Sequence, residues 1–401
     1  MTKLDELIQQ LCPDGVKYYT LNTICNVYDG THQTPQYTDS GIKFASVENI
    51  ADPYATEKYI SVSDYEKYKI KPQRNDLLMT RIGSIGVCTV IESDEPLAYY
   101  VSLALLRPDN SILNSRYLKY AIESLHCRKE LRKRTLVNAV PIKINMGDIG
   151  KITLPVPPLP VQREIVRILD NFTELTTELT AELTARKKQY EFYRDKLLDF
   201  AGNTDVKNVP LGGIAKFVYG YTDKAKETGS VRFVRITDIS EDGRLNPYDA
   251  KYVELTDESK KYLLKKGDLL LARTGATYGK TLYFEEDEPA VYASFLIKII
   301  LDNSVIKNRY YWHFSKSSLY WEQAERYVSK GGQQQFNTNA VSRVIVPIPS
   351  LEVQDRIIYV LDNFDAICTD LSSGLPAEIE ARQKQYEYYR DKLLTFREIS
   401  N

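Results

Sequence analysis

From Val161 onward the apolar positions settle into a heptad rhythm: Val161, Ile165, Ile168, Phe172, Leu175, Leu179 and Leu183, then, past a skipped Arg186, Tyr190, Tyr193 and Leu197. Steps of four and three, with one four-residue stutter, put these side chains on a single stripe of a long α-helix. The rhythm returns as Val353, Ile357, Val360, Phe364, Ile367, Leu371, Leu375, Ile379, Tyr386, Tyr389 and Leu393, with one additional step of four. That extra turn carries Ser373-Gly374-Leu375-Pro376, which predicts a kink or restart. An amphipathic helix of this length leaves its stripe exposed unless something covers it. Either each helix packs on its own domain, or the two pair. Antiparallel pairing is favoured because it restores approximate two-fold symmetry.

Outside the helices the pattern is shorter-ranged. Runs such as Val231–Ile236, Asp268–Ala272 and Ser294–Leu301 are β-branched or aliphatic and bounded by Gly, Asp and Asn, as strands are. Helical stretches are expected at 115–134 and 308–328. Each of these regions closes on prolines, Leu154-Pro155-Val156-Pro157-Pro158 and Val346-Pro347-Ile348-Pro349, which continue neither a ladder nor a helix interior. The expected layout is α+β: a mixed domain over 1–155, a helix over 156–202, a second mixed domain over 203–349 and a second helix over 350–401. The helices would form an antiparallel coiled coil with pseudo-two-fold symmetry.

The layout is a repeat. TLPVPPLPVQREIVRILDNF (153–172) returns as IVPIPSLEVQDRIIYVLDNF (345–364), and KQYEFYRDKLL (188–198) as KQYEYYRDKLL (384–394). Asn75 to Gly83 parallels Gly267 to Gly275, Phe44 to Ile50 parallels Phe233 to Ile239, and Asp109-Asn110-Ser111 parallels Asp302-Asn303-Ser304. Between these matches the copies diverge freely. Leu4-Asp5-Glu6-Leu7 followed by Gly15-Val16-Lys17 echoes Lys196 to Leu211, so the first module begins with the tail of its own helix. A circularly permuted repeat of this kind brings the termini together.

Composition narrows the class. The chain has 401 residues, 43% of them hydrophobic and 27% charged, which is ordinary for a globular protein with two cores. No apolar run approaches the roughly 20 residues of a membrane span. MTKLDELIQQL lacks a signal-peptide core, so a cytoplasmic location is expected. The five cysteines form no CxxC pair and are expected to be reduced and buried. Neither they nor the three histidines are spaced like a metal site. A net charge of −1 argues against wrapping nucleic acid by bulk electrostatics, but leaves room for a local basic face. The 30 tyrosines suit adaptable binding surfaces, or simply strand-rich domains.

Enzyme signatures fail on inspection. Asp52-Pro53-Tyr54 and Asn246-Pro247-Tyr248 resemble the start of an amino-methyltransferase tetrapeptide but lack its second proline, and no Gly-rich cofactor turn accompanies them. They read as turns. Arg81-Ile82-Gly83-Ser84-Ile85-Gly86 and Arg273 to Lys280 lack the GKS or GKT of a phosphate-cradling loop. Their glycines fit a hairpin turn, but an arginine repeated after a strand favours a ligand-facing loop, with Arg81, Ser84, Arg273, Thr277, Tyr278 and Lys280 as candidates. The run after Lys330, Gly331-Gly332-Gln333-Gln334-Gln335, is either a solvated loop or a set of amides for adenine edges. The basic stretch His126 to Arg134, with Arg128 and Lys129, and Lys143 beyond it, is either a solvated face or a phosphate anchor. Thr31, His32, Gln33 and Thr34 match Tyr221 and Lys224 in equivalent early loops.

The tandem layout, PLPVQREIVRILDNF, LEVQDRIIYVLDNF, GLPAEIEARQKQYEYYRDKLL and GDLLLARTGATYGK together resemble the specificity subunit of a type I restriction-modification system, over essentially the whole chain. The resemblance implies two target-recognition domains on double-stranded DNA, each reading half of a bipartite asymmetric sequence. It implies no catalysis by this chain. It further implies docking of two methyltransferase subunits that use S-adenosylmethionine and two ATP-driven, magnesium-dependent restriction subunits. On the helices, Gln162, Phe172, Gln354, Phe364, Gly374, Leu375 and Pro376 are the partner-binding residues it suggests. The first helix has Glu174 to Leu183 where the second has the Gly-Leu-Pro segment, a departure that bears on whether the two docking faces are equivalent. From the residues alone, a tandem protein-binding scaffold is the alternative.

Overall fold

A computed structural model describes residues 2–33, 35–329, 334–370 and 373–399. The chain divides into two compact units: Met1–Glu178 with Glu380–Asn401, and Leu179–Ile379.

In the first unit, Cys25–Asp29, Leu103–Pro108, Leu77–Thr80 and Cys88–Val90 form a four-stranded antiparallel sheet in that order. Leu77–Thr80 is buried at every position, so its sequence shows no alternation. Period two still operates. Leu77 and Met79 join one core cluster with Tyr117, Leu118 and Ile165, while Leu78 joins another with Ala45, Leu97 and Leu105. A second sheet orders Tyr37–Thr38, Tyr59–Ile60, Ile42–Ala45 and Leu97–Tyr99, its last pair parallel.

The second unit repeats the plan: Ala215–Tyr219, Leu296–Leu301, Leu269–Ala272 and Thr281–Tyr283, with a three-stranded sheet built on Val231–Val234. Again Leu269 and Leu271 enter one cluster and Leu270 and Ala272 another. The turn before each central strand needs a left-handed residue, supplied by Asn75 (φ 71°) and Gly267 (φ 87°). The aspartate that follows pairs with a cation on the neighbouring strand, Asp76 with Arg107 at 2.7 Å and Asp268 with Lys298 at 2.6 Å.

The proline-rich exits are short strands, Thr153–Pro155 against Tyr18–Thr20 and Ile345–Ile348 against Lys207–Pro210. Each expected helix between them is two helices: Ser115–Glu123 and Leu125–Arg134, Asn308–Phe314 and Ser318–Tyr327. Ser124 and Ser317 make the break, their hydroxyls capping the second helix at Cys127 and Tyr320.

The first heptad stretch is one uninterrupted helix, Leu159–Leu198. The second is Leu351–Thr369 and Leu375–Leu393, separated at the Ser-Gly-Leu-Pro segment as expected. Leu371 lies outside the described residues. Pairing occurs in both units. In the first, Phe172 stacks on Tyr389 with centroids 5.4 Å apart. In the second, Tyr193 stacks on Phe364 at 5.5 Å. Phe172 and Phe364 are repeat equivalents, as are Tyr193 and Tyr389, so each stack joins one residue from either copy. In the second unit the charges of Lys187 and Arg186 reach Cys368, four residues beyond Phe364, so the helices there run antiparallel. Packing on the helix's own domain holds too, since Val161, Ile165 and Leu169 are fully buried in the first unit's core.

The termini meet inside the first unit. Val16 N–H donates to Arg397 O (2.8 Å) and Ile399 N–H to Val16 O (3.0 Å). Gly15, at φ +116°, leaves no room for a Cβ, which would stand 2.2 Å from that same carbonyl. All five cysteines are free and buried.

Candidate nucleic-acid interface

At one end of the first unit's antiparallel sheet three loops meet on Arg81. Its guanidinium donates to Asp29 Oδ1 (2.8 Å), Val101 O (3.0 Å) and, through Nε, Ile144 O (3.4 Å). The residue is 7% exposed. This corrects the expectation that Arg81 faces a ligand: the residue is buried, three of its five N–H donors are used by the fold, and it ties the early loop, the strand exit and the segment after the basic helix together. Asp29 also accepts from the exposed His32 ring (2.9 Å) and from Gly30 N–H (2.9 Å). The Tyr99 hydroxyl donates to Asp29 O at 3.0 Å, and burial raises that phenol well above its ordinary range, so it stays a donor. Thr31 bridges to Tyr100, while His32 and Gln33 are exposed beside it. Thr34 lies outside the described residues.

Arg273 occupies the same point in the second unit with a different outcome. Its Nε donates to Ser294 O (3.1 Å), and its guanidinium lies 5.3 Å from the Tyr219 ring and 5.5 Å from the Phe295 ring. Tyr219 stands where the first copy has Asp29. With no carboxylate there the guanidinium is only half-buried, held between aromatic faces that are 42% and 51% exposed. Phe336 N–H donates to Arg273 O (2.7 Å) and Gly275 N–H to Gln334 O (3.3 Å), which brings the amide run onto this loop. Gln334 and Gln335 are exposed. Lys330 and Gln333 lie outside the described residues.

The remaining candidates sort by exposure. Arg128, Lys129 and Lys143 are exposed and, among the described residues, make no ion pair. Lys224 is exposed and Ser84, Thr277 and Lys280 half-buried. Tyr221 is tied to Tyr292 O through its N–H (2.8 Å) and packs on Tyr262. The Tyr278 ring packs on Trp321 and Phe336, so it contributes to the core's edge more than to an open surface. Asp52 and Asn246 cap turns, as expected. Sequence reasoning missed Asp29, Tyr219 and Phe295, whose only signal is their register with the two arginines.

Two partner-binding expectations are overturned. Gln162 and Gln354 are fully buried and cannot touch another subunit. Gln162 accepts from Asn114 N–H (2.8 Å) and donates to Ile112 O and Pro157 O, both at 2.7 Å. Gln354 repeats this with Lys307 N–H, Val305 O and Pro349 O, each at 2.9 Å. These glutamines fasten each helix to its own domain. Phe172 and Phe364 are used in the interhelical stacks. Gly374 packs on the end of the preceding helix, and Leu375 and Pro376 are half-buried. Exposed aromatic residues on the helices include Phe192 (61%), its repeat equivalent Tyr388 (62%) and Tyr359 (71%).

Two copies of one loop-bearing α+β domain, each fastened to helices that pair across the repeat, define a tandem recognition protein. The chain belongs to the type I restriction modification DNA specificity family, whose domain model matches residues 13–186 and again 203–381. It is a specificity subunit with tandem DNA specificity domains. It is 33% identical over 299 residues to a Haemophilus influenzae protein assigned as a type I restriction enzyme specificity subunit, covering 71% of this chain and 73% of that one. It is 33% identical over 258 residues to the EcoR124I/EcoR124II specificity subunit of Escherichia coli, covering 61% and 63%. A chain from a solved type I restriction-modification assembly shares the fold with a TM-score of 0.63 at 15% identity, over 95% of this chain and 98% of that one. The S subunit from M. genitalium does so at 0.54 and 15%, over 95% and 97%. These comparisons give no support to the alternative of a protein-binding scaffold. Among the described residues no His, Cys, Asp and Glu cluster could hold a metal, and no helix is long and apolar enough to cross a membrane.

Proposed function

We propose that each unit reads one half of a bipartite, asymmetric DNA sequence through the loops gathered at Arg81 and Arg273, and that the helices set the unread gap. The observation that carries this is the repetition of one loop scaffold with different exposed side chains: an Asp29-locked arginine beside His32 and Gln33 in one unit, an aromatic-flanked Arg273 beside Gln334 and Gln335 in the other. Amides and arginine are the side chains that pair bidentately with adenine and guanine edges. Arg128, Lys129, Lys143, Lys224 and Lys280 supply phosphate contacts.

The exposed Phe192 and Tyr388 faces dock two methyltransferase subunits, and two restriction subunits complete the assembly. The chain itself is non-catalytic and cytoplasmic; S-adenosylmethionine, ATP and magnesium belong to its partners. A salt titration of DNA binding by the assembled methyltransferase tests the reading. A steep log–log slope together with sequence preference supports it, and indifference to both sequence and salt refutes it. Incubating the isolated chain with labelled S-adenosylmethionine and DNA tests the non-catalytic role, with no transfer expected.

A further inference from the structure

The basic helix Leu125–Arg134 runs directly into a short hairpin that no sequence motif marks. Leu136 N–H donates to Lys143 O (2.8 Å), Gly83 N–H to Ile142 O (2.8 Å) and Ile144 N–H to Arg81 O (3.0 Å). The hairpin is therefore pinned to the Arg81 loop at its base, while its tip projects. Val140 is fully exposed at 100% and Val137 is 63% exposed. Two valines held out in water on a hairpin pinned at its base are costly for a free surface. From Leu125 to Met146 the chain carries six Lys and Arg against one Glu, in a protein whose net charge is −1. That Glu, Glu130, is taken up by Lys133 and Arg134. In the second unit Gln335 stands at the equivalent of Lys143, at the base of the strand return, bridged to Ser329 and Thr274 as Lys143 is to Leu136 and Ile82.

Resting on the DNA reading above, we infer that this hairpin enters the major groove of the first unit's half-site and that Val137 and Val140 contact thymine 5-methyl groups. The basic surroundings select DNA as the occupant. Within a major groove, the one apolar feature a base edge offers is the thymine methyl. Asn138, exposed between the two valines, can hydrogen-bond to a base edge; the valines cannot, so they discriminate by burying methyl against methyl.

The test uses the assembled methyltransferase and a duplex carrying its target, defined by sequencing the methylated positions of the host genome. Each thymine of either half-site is replaced in turn by deoxyuridine, which removes only the methyl, and affinity is measured by fluorescence anisotropy. At one or more thymines of a single half-site, affinity should fall about fourfold, the worth of one buried methyl. A V137S/V140S variant should bind the thymine and uracil duplexes equally. Because both side chains are exposed, it should keep the wild-type melting profile. The inference is overturned if uracil is tolerated everywhere, if the sensitive half-site is the one that changes when the second domain is exchanged, or if the variant stays sensitive. In each of those cases sequence-specific binding itself survives. A complex that shows no sequence preference on any duplex would instead sink the DNA reading on which this rests.

Discussion

Replacing Arg81 by alanine separates a structural arginine from a reading one. The substitution removes a bond to a carboxylate at 2.8 Å and a bond to a backbone carbonyl at 3.0 Å, with a long third at 3.4 Å. Hydrogen bonds to charged groups contribute about 1.5–3 kcal/mol and neutral ones about 1 kcal/mol. Asp29 retains access to water, with its side chain 31% exposed, so the charge pair belongs at the lower end of its range. The sum is about 3 kcal/mol, which in a unit of this size moves a melting transition by roughly 6–12 °C. Differential scanning calorimetry of the full chain should show the first unit's transition shifted and the second's unmoved, because each unit has its own core. Arg273→Ala is the counterpart. It loses one carbonyl bond and two exposed ring contacts, so melting should change by only a few degrees. DNA affinity should drop about tenfold or more, and discrimination at the base it reads should relax. If Arg81→Ala melted like the wild type and lost DNA binding, the buttress assignment would be wrong.

Gln162→Leu or Gln354→Leu should each destabilise its own unit by about 2–3 kcal/mol in urea titrations, since one buried and two part-buried backbone groups lose their partner; an unchanged midpoint would contradict the anchoring role. Burial holds His313 down to about 4 from 6.5, against the pull of Asp362 at 2.7 Å and with the Arg309 and Lys316 charges opposing protonation; Tyr190 faces its other nitrogen. Below pH 6.5 the unfolded chain therefore takes up a proton that the folded chain refuses. Its contribution, present above that pH, should decline by up to about 3 kcal/mol as pH falls towards 4, and a His313→Gln variant should lack that part of the acid sensitivity. Inserting Thr-Ala-Glu-Leu after Leu183 adds about 6 Å and about 40° of helix, against about 3.4 Å and roughly 35° for one base pair. The methylome should show the gap one pair longer with both half-sites intact, and an unchanged gap would mean that the helices do not set it.

Much of the fold was legible because it is written twice. The heptad rhythm marks the long helix, Gly374-Leu375-Pro376 its break in the second copy, and the N-terminal echo the meeting of Val16 with Arg397. The serine breaks at Ser124 and Ser317 were less visible, because the apolar spacing runs through them and only capping chemistry stops the helix. The site was legible in position rather than in role. A repeated arginine after a buried strand marked the same loop cluster in both copies. Whether it faces a ligand depends on residue 29 or its equivalent Tyr219, which is remote in sequence and becomes a neighbour only through the strand order. Gln162 and Gln354 misled for a related reason: a strongly repeated polar residue on a helix looks like a docking contact, and its burial against three backbone groups appears only in three dimensions. The hairpin tip at Val140 carried no signal, because exposed valines in a loop have no periodicity.

Whether each unit reads its own half of the target is decided by a methylome. The segment 203–349 is exchanged for its counterpart from a relative of known specificity, the chimaera is assembled with its methyltransferase in a host lacking other methylation, and the modified sites are read by single-molecule sequencing. One half-site should take the relative's sequence while the other half-site and the gap stay as they were. Simultaneous change of both half-sites, or methylation at the original sequence, would contradict the claim that each unit reads its own half of the target.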